Sequence, residues 1–75
     1  MALTIASSLP YHVGYDGQRH YWQVRDAPDG RYMPIHGWDG VDGRIEWREF
    51  GKAYRSRDDA IERARSYALY IAKKH

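Results

Sequence analysis

Residues 56–74, SRDDAIERARSYALYIAKK, are the most informative segment of the sequence because they carry the signals for both ends of one helix. Ser56 is a suitable N-cap, and Asp59 follows three residues later, as in a short capping box. Asp58 and Asp59 lie in the first turn, while Lys73 and Lys74 close the last, the arrangement that the helix dipole favours. The sequence therefore predicts a C-terminal helix that begins at the Ser56 cap.

The apolar side of this helix carries small side chains. At about 100° per residue, one stripe contains Ile61, Ala64, Ala68, Ile71 and Ala72, with Ala60 and Tyr67 on its flank. A helix lined with alanine can approach a flat surface closely, so we expect a β-sheet beneath it. The expected contacts are Ile61, Ala64, Ala68 and Ile71 against Trp22, Val24 and Trp47.

Upstream, the sequence predicts a β-hairpin with strands at residues 11–15 and 19–25 around an Asp16-Gly17 turn. A two-residue loop would set Val13 opposite His20, whereas a loop one residue longer would break that register. With the shorter loop, one face of the hairpin would hold Tyr11, Val13, Tyr15, Trp22 and Val24. The other face would hold His12, Arg19, Tyr21, Gln23 and Arg25.

Residues 27–30, Ala-Pro-Asp-Gly, are typical of a second turn, because proline presets φ and glycine accepts a positive φ. A four-residue loop there would turn Met33 and Ile35 toward the core and Tyr32 outward. We expect strands at 31–36 and 44–50, a glycine-rich loop at 36–43, and a short fifth strand at 53–55. In the fourth strand, Ile45 and Trp47 are expected to point inward.

The predicted fold class is therefore α+β, an antiparallel three- to five-stranded meander sheet packed on one C-terminal α-helix. Residues 1–10 are expected to form a tail or an edge strand, and residues 11–75 a single domain. The first ten residues lack the basic start and long apolar run of a signal peptide, and no segment is long enough to span a membrane. We expect a protein of the host-cell cytoplasm.

Composition limits the chemistry of these 75 residues. There is no cysteine, which excludes disulfides and thiolate metal sites. The net charge of +2 is uneven, because residues 1–43 carry −2 and residues 44–75 carry +4. Seven tyrosines, three tryptophans and one phenylalanine are more than so small a core can bury. This balance permits nucleic-acid binding and favours a contact surface rich in aromatic residues.

Neither a metal site nor a catalytic site is expected. The predicted register places His12 and His20 on opposite faces, so they would not share an ion. The sequence offers no cysteine and no H-x-x-x-H pair that would complete a site with them or with His36. Residues 39–43, Asp-Gly-Val-Asp-Gly, lack the spacing of a calcium loop and favour a turn. No nucleophile stands beside a base, so we expect no enzyme and no cofactor.

Two features are candidates for binding a partner. Trp38 lies in the predicted glycine-rich loop, where it either folds back over the core edge or anchors a partner. The second feature is the predicted outer face of the sheet, with cations beside aromatic rings: Arg19, Tyr21, Arg25, Tyr32 and Arg48. Such a face suits phosphate and base contacts, suits a protein interface equally, and is also an ordinary solvated surface.

Two resemblances follow from these residues. Two parts of the sequence resemble the arm-type DNA-binding domains of phage integrases and AP2-like domains. The first is Trp22-Gln23-Val24, and the second is the step from strand to helix, with Tyr54, Ser56 and Ala60. The resemblance implies a sheet face that enters the DNA groove through Arg19, Tyr21, Arg25 and Arg48. The overall build, small, cysteine-free and aromatic-rich, is similar to small phage-encoded anti-CRISPR proteins.

From these observations we expect a non-enzymatic phage-type inhibitor or regulator that docks on a protein complex that handles nucleic acid. The alternative is a module that binds DNA directly through the outer face of the sheet. The sequence gives no indication of the oligomeric state.

Overall fold

The structure, a computed structural model, describes residues 9–74. Four strands, β1 (Tyr11–Val13), β2 (Arg19–Asp26), β3 (Tyr32–Asp39) and β4 (Ile45–Glu49), precede the helix α1 (Arg57–Lys74). The strands form one antiparallel sheet in the order β1-β2-β3-β4. This confirms the predicted α+β meander with one C-terminal helix. Most of the predicted N-terminal tail or edge strand, residues 1–8, lies outside the described residues.

The three turns of the meander are built alike from the residues x-Asp-Gly at 15–17, 28–30 and 41–43. In each, the glycine has a positive φ between 81° and 85°. The aspartate Oδ1 accepts a hydrogen bond from the backbone N–H two residues later, at 2.9–3.1 Å. Each turn is therefore a three-residue loop in which aspartate stabilises the bend and glycine takes the left-handed position.

These three-residue loops change the strand register. His12 pairs with His20 and Tyr11 with Tyr21, so the expected pairing of Val13 with His20 is wrong by one residue. In the second hairpin Val24 pairs with Pro34, where a four-residue loop would have paired it with Met33. Because side chains alternate between faces, each one-residue shift moves whole sets of residues to the other side of the sheet.

The sheet therefore has two faces that differ from the expected ones. The helix-side face carries His12, His20, Trp22, Val24, Asp26, Tyr32, Pro34, His36, Trp38, Glu46 and Arg48. The far face, away from α1, carries Tyr11, Val13, Arg19, Tyr21, Gln23, Arg25, Met33, Ile35, Gly37, Asp39, Ile45, Trp47 and Glu49. Met33, Ile35 and Trp47, expected beside Trp22 and Val24 under the helix, lie on the far face instead.

Strand β3 is longer than expected and continues to Asp39. The predicted loop at residues 36–43 is therefore wrong in its first half, and Trp38 lies in the strand between His20 and Glu46. The predicted fifth strand is reduced to one bridge between Tyr54 and Tyr32.

The helix begins as predicted, with the Ser56 Oγ accepting a hydrogen bond from the Asp59 N–H at 3.3 Å. Its buried stripe consists of alanines alone: Ala60, Ala64, Ala68 and Ala72. Ile61 and Ile71, expected at the centre of the contact, are half-buried on its two sides. The four alanines let α1 pack closely across β1, β2 and β3.

The far face has its own buried cluster. Tyr21 is 0% exposed and Ile35 is 4% exposed. The Trp47 ring lies over Gly37, where an added Cβ would come within 2.7 Å of a ring carbon. Gly37 is thus required so that the indole can lie flat on β3 and pack toward Tyr21, with ring centroids 6.3 Å apart.

Candidate interaction groove

A groove opens on the helix side of the sheet between α1 and the edge strand β4. We call it the β4 groove; its lining consists of His36, Trp38, Arg48, Glu49, Phe50, Tyr67 and Ile71. Its volume is about 440 Å³, within the usual range of ligand and side-chain pockets. It exists because α1 packs over the first three strands and leaves the helix side of β4 beside it.

Aromatic rings form one wall of the β4 groove. Phe50 and Tyr67 stack with centroids 4.1 Å apart and an angle of 21° between the rings. The Arg63 guanidinium lies over the Phe50 ring at 5.8 Å. On the sheet, the Trp38 ring contacts the His36 ring at 5.4 Å. The wall is therefore fixed by ring packing rather than by loose side chains.

Arg48 and Arg63 give this region its positive charge. Both side chains are exposed, and neither forms an ion pair with any carboxylate in residues 9–74. A guanidinium without a carboxylate keeps all its donors for a partner. The β4 groove therefore combines half-buried aromatic rings with cations that the protein itself does not neutralise.

The arginines of the far face are already paired. The Arg19 Nε donates to Asp39 Oδ2 at 3.0 Å, and Arg25 Nη1 donates to Glu49 Oε2 at 2.9 Å. The Tyr21 hydroxyl donates to the other Asp39 oxygen at 2.8 Å. The pKa of Tyr21 is raised mainly by its burial and, after that, by its hydrogen bond to Asp39. The hydrogen bond to Asp39, with Tyr21 nearby, raises the pKa of Arg19.

Three histidines lie on the helix-side face on adjacent strands, His12 on β1, His20 on β2 and His36 on β3, and His36 lines the groove. His20 Nδ1 and His36 Nε2 are 3.0 Å apart and share one hydrogen, which requires at least one neutral ring. Burial, with His20 nearby, lowers the pKa of His36 to about 4. Burial, with Arg65 and Lys73 nearby, also lowers the pKa of His12, whose ring stacks on Trp22.

The expectation that His12 and His20 occupy opposite faces is wrong, because they are directly paired on the helix-side face. Even so, within residues 9–74 no group of three His, Cys, Asp or Glu side chains is arranged to hold a metal ion. The histidine rings instead form part of the packing beneath α1, where His36 also meets the edge of Tyr67 at 5.5 Å.

The six residues expected to bind a partner are split by the structure. Trp38 and Arg48 come together in the β4 groove. Arg19, Tyr21 and Arg25 lie on the far face, so the expected common face with Tyr32 and Arg48 is wrong. Tyr21 is fully buried and offers no contact surface. Tyr32 is half-buried at the other end of β3, where its backbone pairs with Tyr54.

Sequence reasoning missed Phe50 and Tyr67 as groove residues, and it missed Arg63 beside them. Tyr67 was placed on the flank of the alanine stripe, which is the side of α1 that faces β4. An aromatic residue on that flank, with Phe50 directly after an edge strand, is a usable signal for a groove. It becomes visible only once the sheet order is known, because Phe50 and Tyr67 meet across 17 residues of chain.

No helix within residues 9–74 has the length and apolar character needed to cross a membrane. The chain matches no protein-family model, no curated protein and no solved structure.

Proposed function

We propose that this protein is a non-enzymatic binding protein of the host-cell cytoplasm, an inhibitor or regulator that docks on a protein complex that handles nucleic acid. Its overall build is similar to small phage-encoded anti-CRISPR proteins, which suggests this partner class. In this proposal the β4 groove is the docking surface. The observation that carries it is that Trp38 and Arg48 lie together beside Phe50 and Tyr67.

This combination suits a protein partner. Aromatic residues and arginine are the side chains most enriched at the centres of protein interfaces, and half-buried rings are already ordered before binding. Arg48 lines the groove with an exposed side chain and forms no ion pair with the described carboxylates, so a carboxylate of the partner has a donor to meet.

The geometry favours a protein partner over nucleic acid in this groove. Base stacking requires a free ring face, but Phe50 has Tyr67 stacked on it and Arg63 over its ring. The alternative, direct DNA binding through the far face, is also disfavoured. Arg19 and Arg25 would first have to leave Asp39 and Glu49 before they could contact phosphates.

The test is affinity capture of the nucleic-acid-handling complexes from a lysate of the host cells, with variants matched across the two faces. Arg48→Ala and Trp38→Ala remove groove contacts. Arg25→Ala and Tyr11→Ala remove an exposed arginine and an exposed aromatic from the far face. Thermal melting shows which variants retain the fold.

We expect capture to fall at least about tenfold with Arg48→Ala or Trp38→Ala, the loss typical of a residue at the centre of an interface. Capture should be unchanged with the two far-face variants. Loss of capture with Arg25→Ala and Tyr11→Ala, but not with the groove variants, would refute the β4 groove as the docking surface. Capture of no such complex by the wild-type protein would refute the proposed function itself.

A further inference from the structure

Strand β4 is an edge of the sheet, and its outer backbone groups follow from the hydrogen bonds at its two ends. The Gly40 N–H donates to Arg44 O at 2.7 Å, and the Phe50 N–H donates to Pro34 O at 3.4 Å. Hydrogen-bonded pairs alternate along an antiparallel ladder, so even-numbered residues of β4 point their backbone groups at β3. The N–H and C=O groups of Ile45, Trp47 and Glu49 therefore point outward, away from the sheet.

The side chains along this edge are complementary to a second copy of the same strand. Consider two β4 strands paired antiparallel with Trp47 opposite Trp47. Ile45 then faces Glu49 of the second copy, and the outward backbone groups of residues 45, 47 and 49 all meet one another. Glu46 faces Arg48 of the second copy, and Arg48 faces its Glu46, at the closely spaced non-hydrogen-bonded positions.

The neighbouring registers that preserve the backbone bonds are unfavourable. A shift in one direction places Glu46 opposite Glu46 on the two-fold axis, and a shift in the other places Arg48 opposite Arg48. Like charges directly opposite each other destabilise a strand pair. The alternation of charge along β4 thus selects one register, in which both Glu46 and Arg48 find partners.

We propose that β4 is a dimerisation edge whose partner is a second copy of this chain, paired through two Glu46–Arg48 ion pairs. The proposal does not rest on the proposed function. A two-fold axis perpendicular to the sheet joins two four-stranded sheets into one eight-stranded antiparallel sheet. Both helices lie on the same side, so the two β4 grooves become neighbours with the ion pairs between them.

The dimer has a consequence for the docking surface. Arg48 lines the groove of its own copy, and in the dimer it also meets Glu46 of the second copy. Its five N–H donors are more than one carboxylate accepts, so donors remain for a docking partner. The groove that a partner meets is then built from both copies, with Phe50 and Tyr67, and Arg63 beside them, repeated on either side of the axis. The second copy thereby contributes a residue to the site.

The test is the dissociation constant of the dimer, measured by sedimentation for charge-reversed variants. Glu46→Arg places arginine opposite Arg48 in both pairs, and Arg48→Glu places glutamate opposite Glu46. Each reversal should weaken the dimer at least about tenfold, since two favourable pairs become two like-charge pairs. The double variant Glu46→Arg/Arg48→Glu restores opposite charges and should return the constant to near the wild-type value.

A second pair of variants tests the backbone pairing. Glu49→Pro removes an N–H that points outward, so it leaves the β3–β4 ladder intact but blocks the new strand pair. Glu49→Ala is its control, because it also removes the ion pair to Arg25 but retains the N–H. Dimerisation should be lost with proline and kept with alanine.

Three results would overturn the proposal. The first is a wild-type protein that stays monomeric up to millimolar concentration. The second is a dimer that neither single charge reversal weakens. The third is a dimer that the double reversal fails to restore, although all variants melt as the wild type does.

Discussion

The two faces of the sheet carry similar residues and use them differently. On the far face, Tyr21 is buried and both arginines of β2 are joined to carboxylates at 2.9–3.0 Å. On the helix-side face, Trp38 and Arg48 line a groove, and Arg48 has no such carboxylate among residues 9–74. A count of tyrosine, tryptophan and arginine therefore does not predict a contact surface. What distinguishes the two faces is which side chains have already found partners within the fold.

The far face should behave as a structural layer, and Tyr21→Ala is the strongest test of this. Removing a fully buried aromatic ring should lower the free energy of unfolding by about 3–5 kcal/mol. Tyr21→Phe is the matched control, since it keeps the ring and removes only the hydroxyl that donates to Asp39, and it should cost about 1–3 kcal/mol. Denaturant unfolding measures both, and a loss below about 0.5 kcal/mol for Tyr21→Ala would show that the ring is exposed.

The helix-side face should respond to acid, because His36 is buried there in its neutral form. Its pKa in the folded state is about 4, below the usual value of 6.5. The unfolded chain therefore binds a proton that the folded protein does not bind, and stability falls as the pH drops from about 6.5 to about 4. This contribution, present in full above pH 6.5, is on the order of 3 kcal/mol. The lowered pKa of His12 acts in the same direction.

The His36→Gln variant separates this effect from that of the acidic side chains. Its unfolding free energy should vary less than that of the wild type over the same pH window, because glutamine does not titrate. Urea titrations at a series of pH values give the two profiles. Parallel profiles for wild type and variant would show that His36 is not the group responsible.

The alanine stripe should tolerate no larger residue, because α1 packs directly on the sheet there. Ala64 is 0% exposed, so Ala64→Leu should cost about 1–3 kcal/mol through overpacking. The same leucine at the exposed Lys73 should change stability by no more than about 0.5 kcal/mol. Equal thermal shifts for the two variants would mean that the helix meets the sheet through another side.

The smallest effect is expected in the affinity of the protein for duplex DNA. Each arginine that contacts a phosphate adds about 0.9 to the slope of log affinity against log salt concentration. Because Arg19 and Arg25 are ion-paired on the far face, we expect weak duplex binding at low salt, lost near physiological salt. A fluorescence-anisotropy salt titration measures it. Nanomolar duplex binding that survives physiological salt, and is lost with Arg19→Ala or Arg25→Ala, would favour the DNA-binding alternative.

The helix and the fold class could be predicted because their signals are local. Ser56, the charges at both ends and the alanine spacing all lie within one segment, and the structure confirms the cap and the helix. The prediction that the isoleucines lie at the centre of the contact was wrong, because periodicity alone cannot separate the middle of a stripe from its edges. The close contact with the sheet favours the smallest side chains at its centre.

The candidate site could not be predicted in the same way, because it depends on the strand register. The three x-Asp-Gly turns each form a three-residue loop, and in the first two hairpins this one-residue difference moved His12 and Met33 to the face opposite the expected one. The repeated Asp-Gly pair was visible in the sequence, and a three-residue loop ending in glycine is one of its usual forms. The pairing of Arg19 with Asp39 lies beyond the sequence, since it joins side chains 20 residues apart.

The proposed binding in the β4 groove, and not on the far face, can be tested by mapping the contact itself. Nuclear magnetic resonance spectra of the labelled protein, recorded with and without its captured partner complex, locate the residues that change. We expect changes at the Trp38 indole N–H, at Phe50 and at Tyr67, with Tyr11, Arg19 and Arg25 unaffected. Changes confined to Tyr11, Arg19 and Arg25 would refute the β4 groove as the docking surface.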